Sequence, residues 1–230
     1  NQPSVDYRQY WPTLAELGVL GVPFTEEQGG ISGCGIDIAD AVRVLAKGIV
    51  LEPYIESAVI AGSLLAAGDP ARSEAAVAAL IGGEDVAILV GGRGGLPDVL
   101  SSSKTSDGYR LDGHVRVVPY AQEADSWLIA TTDKNAGTPR IFHVPRETVS
   151  ADTPRYRLMD GRSAADVVIS GVTLPANTLW LEGDAAAAAL DRASSLAVSG
   201  YCASAVGAMQ NLLEITNEYL KTRVQFGVVI

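Results

Sequence analysis

The feature that most constrains the fold is a run of nearly forty residues, from about residue 184 to 222, that has the composition of a single helix. Asp184 is suited to cap its start, and Gly227 lies just past its end. A helix of this length needs an apolar face packed against other elements, because packing provides most helical stability in proteins. We therefore expect either a further helical domain or another chain to pack against it.

The middle of this run must be tested as a membrane span, because residues 193–213 carry no charge and are long enough to cross a bilayer. The stretch is nevertheless rich in alanine and glycine, and it contains the polar residues Ser194, Ser195, Ser199, Ser204, Gln210 and Asn211. That composition is too polar for lipid. We interpret it as a helix packed closely among other helices, and we predict no membrane span.

Composition excludes several classes of function. The chain of 230 residues is 47% hydrophobic and 19% charged, which is typical of a soluble globular protein with one or two domains. The net charge of -10 argues against nucleic-acid binding. Cys34 and Cys202 are far apart, which argues against a disulfide or a metal site and favours a reduced, cytoplasmic protein. The start at Asn1 lacks the basic and apolar parts of a signal peptide.

The spacing of apolar residues changes twice along the chain, from helical to strand-like and back to helical, and this predicts an α+β multidomain protein. Residues 1–84 are predicted to form an N-terminal helical domain, and residues 85–183 a middle antiparallel β barrel or sandwich. Residues 184–230 are predicted to begin a C-terminal helical bundle. The expected helices of the first region are 10–18, 36–47, 56–67 and 73–81, the last opened by Asp69 and Pro70. The expected strands are 85–90, 109–113, 115–118, 126–131, 140–144, 166–169 and 172–174.

The residues after the long helix carry the most specific motif in the chain. Arg223, Gln225, Phe226 and Gly227 form the pattern Arg-x-Gln-Phe-Gly, which resembles a signature of the acyl-CoA dehydrogenase family. Further segments are similar to that family in the same order, namely 14–22, 26–30, 111–113, 124–125, 161–163 and 172–175. The resemblance covers nearly the whole chain, and the family's first helix and last four helices have no counterpart within it.

The resemblance implies a function and a set of partners. The expected activity is the FAD-dependent α,β-dehydrogenation of an acyl-CoA thioester, in a homo- or heteromeric dimer or tetramer of same-family subunits. Electron-transfer flavoprotein is the implied electron acceptor, and a bacterial cytoplasmic location is expected. In that family Arg223, Gln225 and Phe226 would contact the FAD of a neighbouring subunit. Taken by itself, Arg223 is better explained as an ordinary cation at a helix C-terminus, where the helix dipole favours it, and only the attached Gln-Phe-Gly and the matching domain order favour the cofactor role.

Two departures from the family pattern favour a divergent subunit. Residues 90–98, Val-Gly-Gly-Arg-Gly-Gly-Leu-Pro-Asp, stand where active members carry a Thr-Glu-Pro-x-x-Gly-Ser-Asp-like loop that holds flavin and substrate. Val117–Pro119 replace an aromatic-x-threonine pair that packs on the flavin ring. These features resemble the smaller or divergent subunits of bacterial heteromeric members, which act on dicarboxylic, aromatic-ring-derived or steroid side-chain thioesters.

No residue is a convincing catalytic base, so the catalytic residues stay unknown. The family's glutamate base lies in the last helical domain, or in a minority of members on the long helix at a position equivalent to about Ala197. Glu214 and Glu218 share a helix face, but we expect them to be paired or solvated. Two alternatives follow: a non-catalytic subunit that completes a partner's FAD site, and a ligand-binding or structural module that has kept only the fold.

Other suggestive residues have plainer explanations. The glycines of residues 91–95 could cradle a phosphate, but no lysine-serine pair or helix follows them, so we expect a flexible loop. His114 and His143 lie in or beside predicted strands without an acidic partner, and we expect both to be structural. Residues 30–35 lack the preceding strand of a nucleophile elbow. Asp98 and Ser101–Ser103 lie near the place where the family loop would meet substrate.

Overall fold

A computed structural model describes residues 5–92, 100–149, 151–226 and 228–229. Helices come first, a sheet follows, and a long helix returns across both. The predicted fold class is therefore confirmed, while the boundaries of the three predicted domains stay predictions. The predicted loop at residues 90–98 and the final Gly227 lie largely outside the described residues.

The N-terminal region consists of short helices joined by tight turns. They are α1 (Trp11–Glu16), α2 (Gly35–Lys47), a π-helical segment (Ile55–Ala61), its continuation α3 (Gly62–Leu65) and α4 (Pro70–Ile81), with 3-10 turns at Val19–Gly21 and Glu26–Gln28. The Asp69 side chain accepts a hydrogen bond from the backbone N–H of Ala71, and Pro70 occupies the first helical position, as the sequence predicts. The helix predicted over residues 56–67 is present, but its first two turns are π-helical rather than α-helical.

A nine-stranded sheet forms the middle of the molecule. Its strands are β1 (Ala87–Val90), β2 (Ser101–Lys104), β3 (Gly108–Pro119), β4 (Ser126–Asp133), β5 (Pro139–Pro145), β6 (Ala151–Asp152), β7 (Arg155–Arg157), β8 (Ser163–Pro175) and β9 (Leu179–Glu182). The order is β6-β8-β3-β2-β4-β5-β9, with β1 beside β4 and β7 beside β8. Short 3-10 turns at Arg146–Thr148 and Ala176–Thr178 lie in the connections from β5 to β6 and from β8 to β9.

The sheet is mixed rather than wholly antiparallel. β5 pairs antiparallel along the length of β4, so β1 and β2 share the other side of β4, and both run parallel to it. The remaining pairs are antiparallel. The apolar run of β1 indicates a strand but carries no information on its direction, and the polar sequence of β2, Ser-Ser-Ser-Lys, does not indicate a strand, so the sequence did not reveal the two parallel pairs.

The long helix α5 spans Asp184–Thr222, as predicted, and packs against α2, the π-helical segment, α3, β5 and β9. Its N-cap is Gly183, with a φ of 66°, so Asp184 is the first helical residue and not the cap. Only residues of its first two-thirds are buried: Ala186, Ala189, Ala193, Gly200 and Gly207. Large apolar side chains toward its end are exposed, including Met209, Leu212, Leu213, Ile215, Tyr219 and Leu220.

Two hydrophobic cores result from this arrangement. One lies between the helices and the inner face of the sheet and contains Trp11, Leu64, Leu80, Leu128 and Ala193. The other lies on the opposite side of the sheet and contains Trp127, Tyr120 and Phe142. After α5, a two-stranded hairpin of β10 (Val224–Gln225) and β11 (Val228–Val229) ends the described chain. Among the described residues, no helix has both the length and the apolar character that crossing a membrane requires.

Candidate functional site

Two adjoining cavities lie where the helices, the sheet and α5 meet. The larger, about 430 Å³, lies between α2, the residues around the π-helical segment, and α5; we call it the helix cavity. Its walls include Val42, Ile49, Tyr54, Arg162 and Leu212. The smaller, about 320 Å³, lies between the π-helical segment, strand β1, the end of β3, and α5; we call it the sheet cavity.

The sheet cavity has mostly apolar walls. It is lined by Ile60, Ile88, Leu89, Pro119, Ala193, Ala197 and Val198, together with Glu56, Gly92, Ser194 and Tyr201. Ala197, the position that could have carried a base on the long helix, therefore faces this cavity with a methyl group. Glu56 is the single carboxylate among the described residues of its wall.

Glu56 and Tyr201 line both cavities and form the junction between them. The Glu56 side chain is buried, with 6% of the residue exposed. Its Oε1 accepts hydrogen bonds from Arg162 Nη1 at 2.8 Å and from the Tyr201 hydroxyl at 3.1 Å. Arg162 in turn lies 2.7 Å from Asp160 Oδ2. A buried carboxylate is thus compensated by a guanidinium and a phenol, as the cost of burying a charge requires.

The two carboxylates keep Arg162 charged. Burial alone would lower the pKa of the Arg162 guanidinium, but its hydrogen bond to Asp160 and the charge of Glu56 outweigh burial and raise that pKa. Burial would raise the pKa of Asp160, yet the hydrogen bond from Arg162 lowers it below the ordinary value. Arg162 and Asp160 therefore favour each other's charged forms.

Two buried tyrosines line the helix cavity beside this cluster. The Tyr120 hydroxyl donates to the carbonyl of Leu51 at 2.8 Å. The Tyr54 hydroxyl has no hydrogen-bond partner among the residues that the structure describes, although the residue is only 3% exposed. Burial raises the pKa of both hydroxyls, so both are neutral.

The predicted cofactor residues lie apart from both cavities. Arg223, Gln225 and Phe226 are exposed, and none of them lines either cavity. The Arg223 guanidinium lies 6.0 Å from the ring centre of Tyr219, one turn earlier on α5. The Phe226 ring is fully exposed, and its backbone adopts a φ of 52°. Their role in binding a cofactor stays a prediction.

The two segments that depart from the family pattern, residues 90–98 and Val117–Pro119, are described in part. Pro119 lines the sheet cavity, whereas the backbone N–H of Val117 donates to Asp166 Oδ1 at 2.9 Å. Of residues 90–98, only Val90, Gly91 and Gly92 are described, so the proposals for the glycine-rich segment and for Asp98 lie outside the described residues. Ser101–Ser103 belong to β2.

The other candidate residues have ordinary partners or surroundings. Glu214 pairs with Lys47 at 2.7 Å and Glu218 with Lys221 at 2.7 Å, as expected of solvated helix carboxylates. The His143 ring packs edge-on against Trp180 at 5.0 Å, and burial together with the charge of Arg72 lowers its pKa to about 4. Neither histidine lines the helix cavity or the sheet cavity. The described residues contain no group of three His, Cys, Asp or Glu side chains that could hold a metal ion.

The sequence analysis did not find the central cluster of this site. Glu56 could have been identified from the sequence, because it is the one carboxylate in the mostly apolar run Ile55–Ala61, and a carboxylate buried in such a run needs a partner. Tyr54, Arg162 and Tyr201 come from three distant segments, and the chain alone does not indicate that they meet.

Comparison with known proteins supports the resemblance seen in the sequence. No protein-family model matches the chain. The chain is 29% identical over 223 residues to acyl-CoA dehydrogenase FadE27 of Mycobacterium tuberculosis (strain ATCC 25618 / H37Rv), an alignment that covers 95% of this chain and 57% of FadE27. The chain thus spans a little over half the length of that relative.

Solved structures show the same fold. The ChsE4-ChsE5 complex from Mycobacterium tuberculosis matches with a TM-score of 0.83 and 23% identity, over 100% of this chain and 61% of the other. A variant of the Tcur3481-Tcur3483 steroid ACAD matches with a TM-score of 0.81 and 23% identity, over 97% and 60%. Butyryl-CoA dehydrogenase from Megasphaera elsdenii matches with a TM-score of 0.84 and 22% identity, over 96% and 63%. The resemblance to the acyl-CoA dehydrogenase family is therefore confirmed: the chain has the fold of that family over almost its whole length and is similar in sequence to one of its members.

Proposed function

We propose that the protein takes part in the FAD-dependent α,β-dehydrogenation of an acyl-CoA thioester, as a subunit of a homo- or heteromeric complex. The observation that carries this proposal is the end of α5. There Arg223, Gln225 and Phe226 follow the helix in the family's order, and all three side chains are exposed. Side chains placed in this way are available to a group held by another subunit.

The exposed motif suits a cofactor with a diphosphate. Arg223 offers a forked guanidinium, which matches the geometry of phosphate oxygens. Gln225 adds an amide donor, and the exposed ring of Phe226 offers an apolar surface. When bound, FAD supplies the hydride acceptor for the dehydrogenation. The role proposed for this chain's residues is to hold the diphosphate at the subunit boundary.

The sheet cavity is the proposed place for the acyl group. Removing an α-proton from a thioester requires a desolvated carboxylate close to it, with donors that polarise the carbonyl. The apolar walls formed by Ile60, Ile88 and Val198 exclude water and suit an acyl chain. Glu56 is a poor candidate for the base, because its Oε1 already accepts hydrogen bonds from Arg162 and Tyr201.

A non-catalytic partner subunit is the second candidate. In this version, the chain lends Arg223 and Gln225 to the FAD of a catalytic subunit and performs no chemistry itself. Two observations favour it: Ala197 presents no carboxylate to the sheet cavity, and Asp166 occupies the backbone N–H of Val117 beside the flavin-facing segment. The ChsE4-ChsE5 complex offers a precedent for the fold in an assembly of two differently named subunits.

The visible absorption spectrum of the purified protein, alone and co-purified with the subunit encoded beside it, tests these proposals. A flavin band near one equivalent in the protein alone, bleached by an acyl-CoA, is the result expected of a catalytic subunit. Flavin that appears only in the co-purified pair would support the partner subunit. Absence of flavin from both preparations would contradict both proposals and leave only the fold in common.

A further inference from the structure

The Glu56 carboxylate has one oxygen that the protein uses and one that stays available. Both hydrogen bonds that the structure describes for this side chain end on Oε1, from Arg162 at 2.8 Å and from Tyr201 at 3.1 Å. Oε2 accepts none from the described residues, and it is not one of the fully enclosed polar atoms that lack a partner. It therefore borders open space, and the open space beside Glu56 is the sheet cavity and its junction with the helix cavity.

The two bonds on Oε1 hold the carboxylate in a fixed position. One donor comes from the turn before β8 and the other from α5, so Glu56 is held from two sides. Its backbone belongs to the π-helical segment, and irregular turns of this kind frequently occur at functional sites. An ionised carboxylate accepts hydrogen bonds and cannot donate them. Oε2 thus offers a ligand in the sheet cavity a fixed acceptor.

The charges around Glu56 also favour a donor on the ligand. Arg162 lies 2.8 Å from Glu56 and 2.7 Å from Asp160, so its single positive charge is shared between two carboxylates. The remaining excess of negative charge attracts the positive end of an O–H bond and repels the lone pairs of an ether oxygen. Because most of the sheet-cavity wall is apolar, a ligand hydroxyl buried there would gain most from a bond to Glu56.

We propose that Glu56 is a specificity-determining residue of the sheet cavity: its Oε2 accepts a hydrogen bond from a hydroxyl group on the acyl chain. The site then prefers hydroxylated acyl groups, because an acyl group without a donor leaves Oε2 buried and unpaired. The inference rests on the proposed function only in identifying the ligand as an acyl group.

Two isomeric probes test this preference without requiring catalysis. The hydroxyl of 1-hexanol donates a hydrogen bond, whereas the ether oxygen of its isomer 1-methoxypentane only accepts one. Isothermal titration calorimetry at pH 7 measures the dissociation constant of each probe, with the purified protein and any subunit that co-purifies with it. We expect 1-hexanol to bind at least about tenfold more tightly, as a hydrogen bond to a charged acceptor requires. Equal affinities, tighter binding of the ether, or binding of neither probe would overturn the inference.

The substitution Glu56→Gln identifies the acceptor. The amide oxygen can keep the bonds to Arg162 and Tyr201, and the amide N–H group then replaces Oε2 and offers a donor to the cavity. The preference for 1-hexanol should therefore fall by about tenfold. Glu74→Gln, at an exposed position on α4 outside both cavity walls, removes the same charge and should leave the preference unchanged. An unchanged preference in a folded Glu56→Gln protein would contradict the inference, and the wild-type comparison decides if that variant does not fold.

The substitution Ala197→Leu locates the bound probes. Ala197 lines the sheet cavity, so a larger side chain there takes up part of the space. Both probes should bind at least about threefold more weakly, and the ratio of their affinities should stay the same. Thermal unfolding checks that the variant is folded. Unchanged affinities for both probes would show that they bind elsewhere and would contradict the inference.

Flavin content of the same preparations separates the two proposals. A preference for 1-hexanol in a protein that never contains flavin would support the inference and count against the proposed dehydrogenation. Flavin with equal probe affinities would do the reverse.

Discussion

Arg223 lies at the end of α5 with its guanidinium near the ring of Tyr219 and exposed to solvent. Two residues earlier, Lys221 carries the same charge but bonds to Glu218 at 2.7 Å. The two cations differ in chemistry as well, because a guanidinium can bind a phosphate through two parallel hydrogen bonds and an ammonium cannot. This contrast provides a matched pair for testing the cofactor contact.

The substitution Arg223→Ala should weaken FAD retention by about ten- to hundredfold, which corresponds to the loss of a charge-assisted hydrogen bond. The measurement is the flavin absorbance left after dialysis of the purified complex. Because Arg223 is exposed, the midpoint of thermal unfolding should not change. Lys221→Ala is the control and should retain flavin. Equal flavin content in the two variants would contradict the proposed contact.

Asp133 illustrates a charge with a structural role. Its carboxylate accepts hydrogen bonds from the backbone N–H groups of Ala136 and Asn135 and from Arg140, and these bonds lower its pKa to about 2. Arg140 also bonds to Glu182 at 2.6 Å. The network ties the turn after β4 to strands β5 and β9.

The effect of Asp133 on stability should therefore depend on pH. A carboxyl whose pKa is lower in the folded state contributes stability above its ordinary pKa, and that contribution is lost as the pH falls through the folded value. Unfolding by urea should show wild type more stable than Asp133→Asn by a constant amount above about pH 5. The difference should shrink between about pH 4 and pH 2. A difference that is independent of pH would show that the charge of Asp133 does not matter.

At the level of single residues, the sequence indicated the site only where a motif is contiguous. Arg223, Gln225 and Phe226 lie within four positions, so a pattern could identify them. Glu56, Arg162 and Tyr201 come together from the π-helical segment, the turn before β8 and α5, and no local pattern encodes that contact. Asp184 was assigned as the N-cap because of its side chain, whereas Gly183 occupies the cap with a positive φ that favours glycine.

Among the elements, α2 and α5 make a close contact that depends on a glycine. A Cβ atom at Gly207 would lie 2.2 Å from the carbonyl oxygen of Arg43, which no real contact permits. Beside this contact, the Arg43 side chain donates to Gln210 at 3.0 Å, and Lys47 bonds to Glu214. The two helices can thus approach closely only where a side chain is missing.

The substitution Gly207→Ala should destabilise the protein by about 1–3 kcal/mol, because overpacking outweighs the helix propensity that alanine adds. The free energy of unfolding in urea measures the effect. Gly35→Ala is the matched control: a Cβ at Gly35, in the first turn of α2, has no neighbour within 4 Å, so this variant should be neutral or slightly stabilised. A stabilised Gly207→Ala protein would show that the helices separate without cost.

Most elements could be predicted because each buries a regular apolar pattern. The long helix was predicted with its correct bounds, since its small and apolar residues recur over eleven turns. Strand β2 was missed because its sequence is Ser-Ser-Ser-Lys, in which the buried Ser102 bonds to Thr131 at 2.9 Å rather than packing an apolar side chain. Two pairs of predicted strands proved to be continuous, since β3 and β8 pass through irregular pairings near Gly113 without ending.

At the scale of the whole molecule, the side chains of α5 are buried along the first part of the helix and exposed toward its end. Its first part packs between the sheet and the helices, while the part beyond Gly207 presents Met209, Leu212, Leu213 and Ile215 to solvent. Exposed apolar side chains in such number are typical of a surface that another element or subunit covers. The same-family subunit proposed above would suit such a surface.

Amide hydrogen exchange should reveal this asymmetry. In the isolated 230-residue chain, residues 185–205 should exchange at least about tenfold more slowly than residues 209–222, because packing protects backbone amides from local opening. Addition of the co-purifying subunit should slow exchange in the second range. Uniform protection along α5, or slowing confined to the sheet, would contradict an interface on the end of this helix.

The π-helical segment Ile55–Ala61 makes the junction of the two cavities sensitive to a change in chain length. A π-helix takes up about one residue more per turn than an α-helix, so deleting one residue there would let an ordinary α-helix span the same distance. The residues on either side of the segment would keep their faces, whereas residues inside it, Glu56 among them, would shift by about one position around the helix, or about 100°. Glu56 would then leave Arg162 and Tyr201. The loss of a single codon from this segment would therefore change the side chains at the junction of the two cavities while the rest of the fold stays intact.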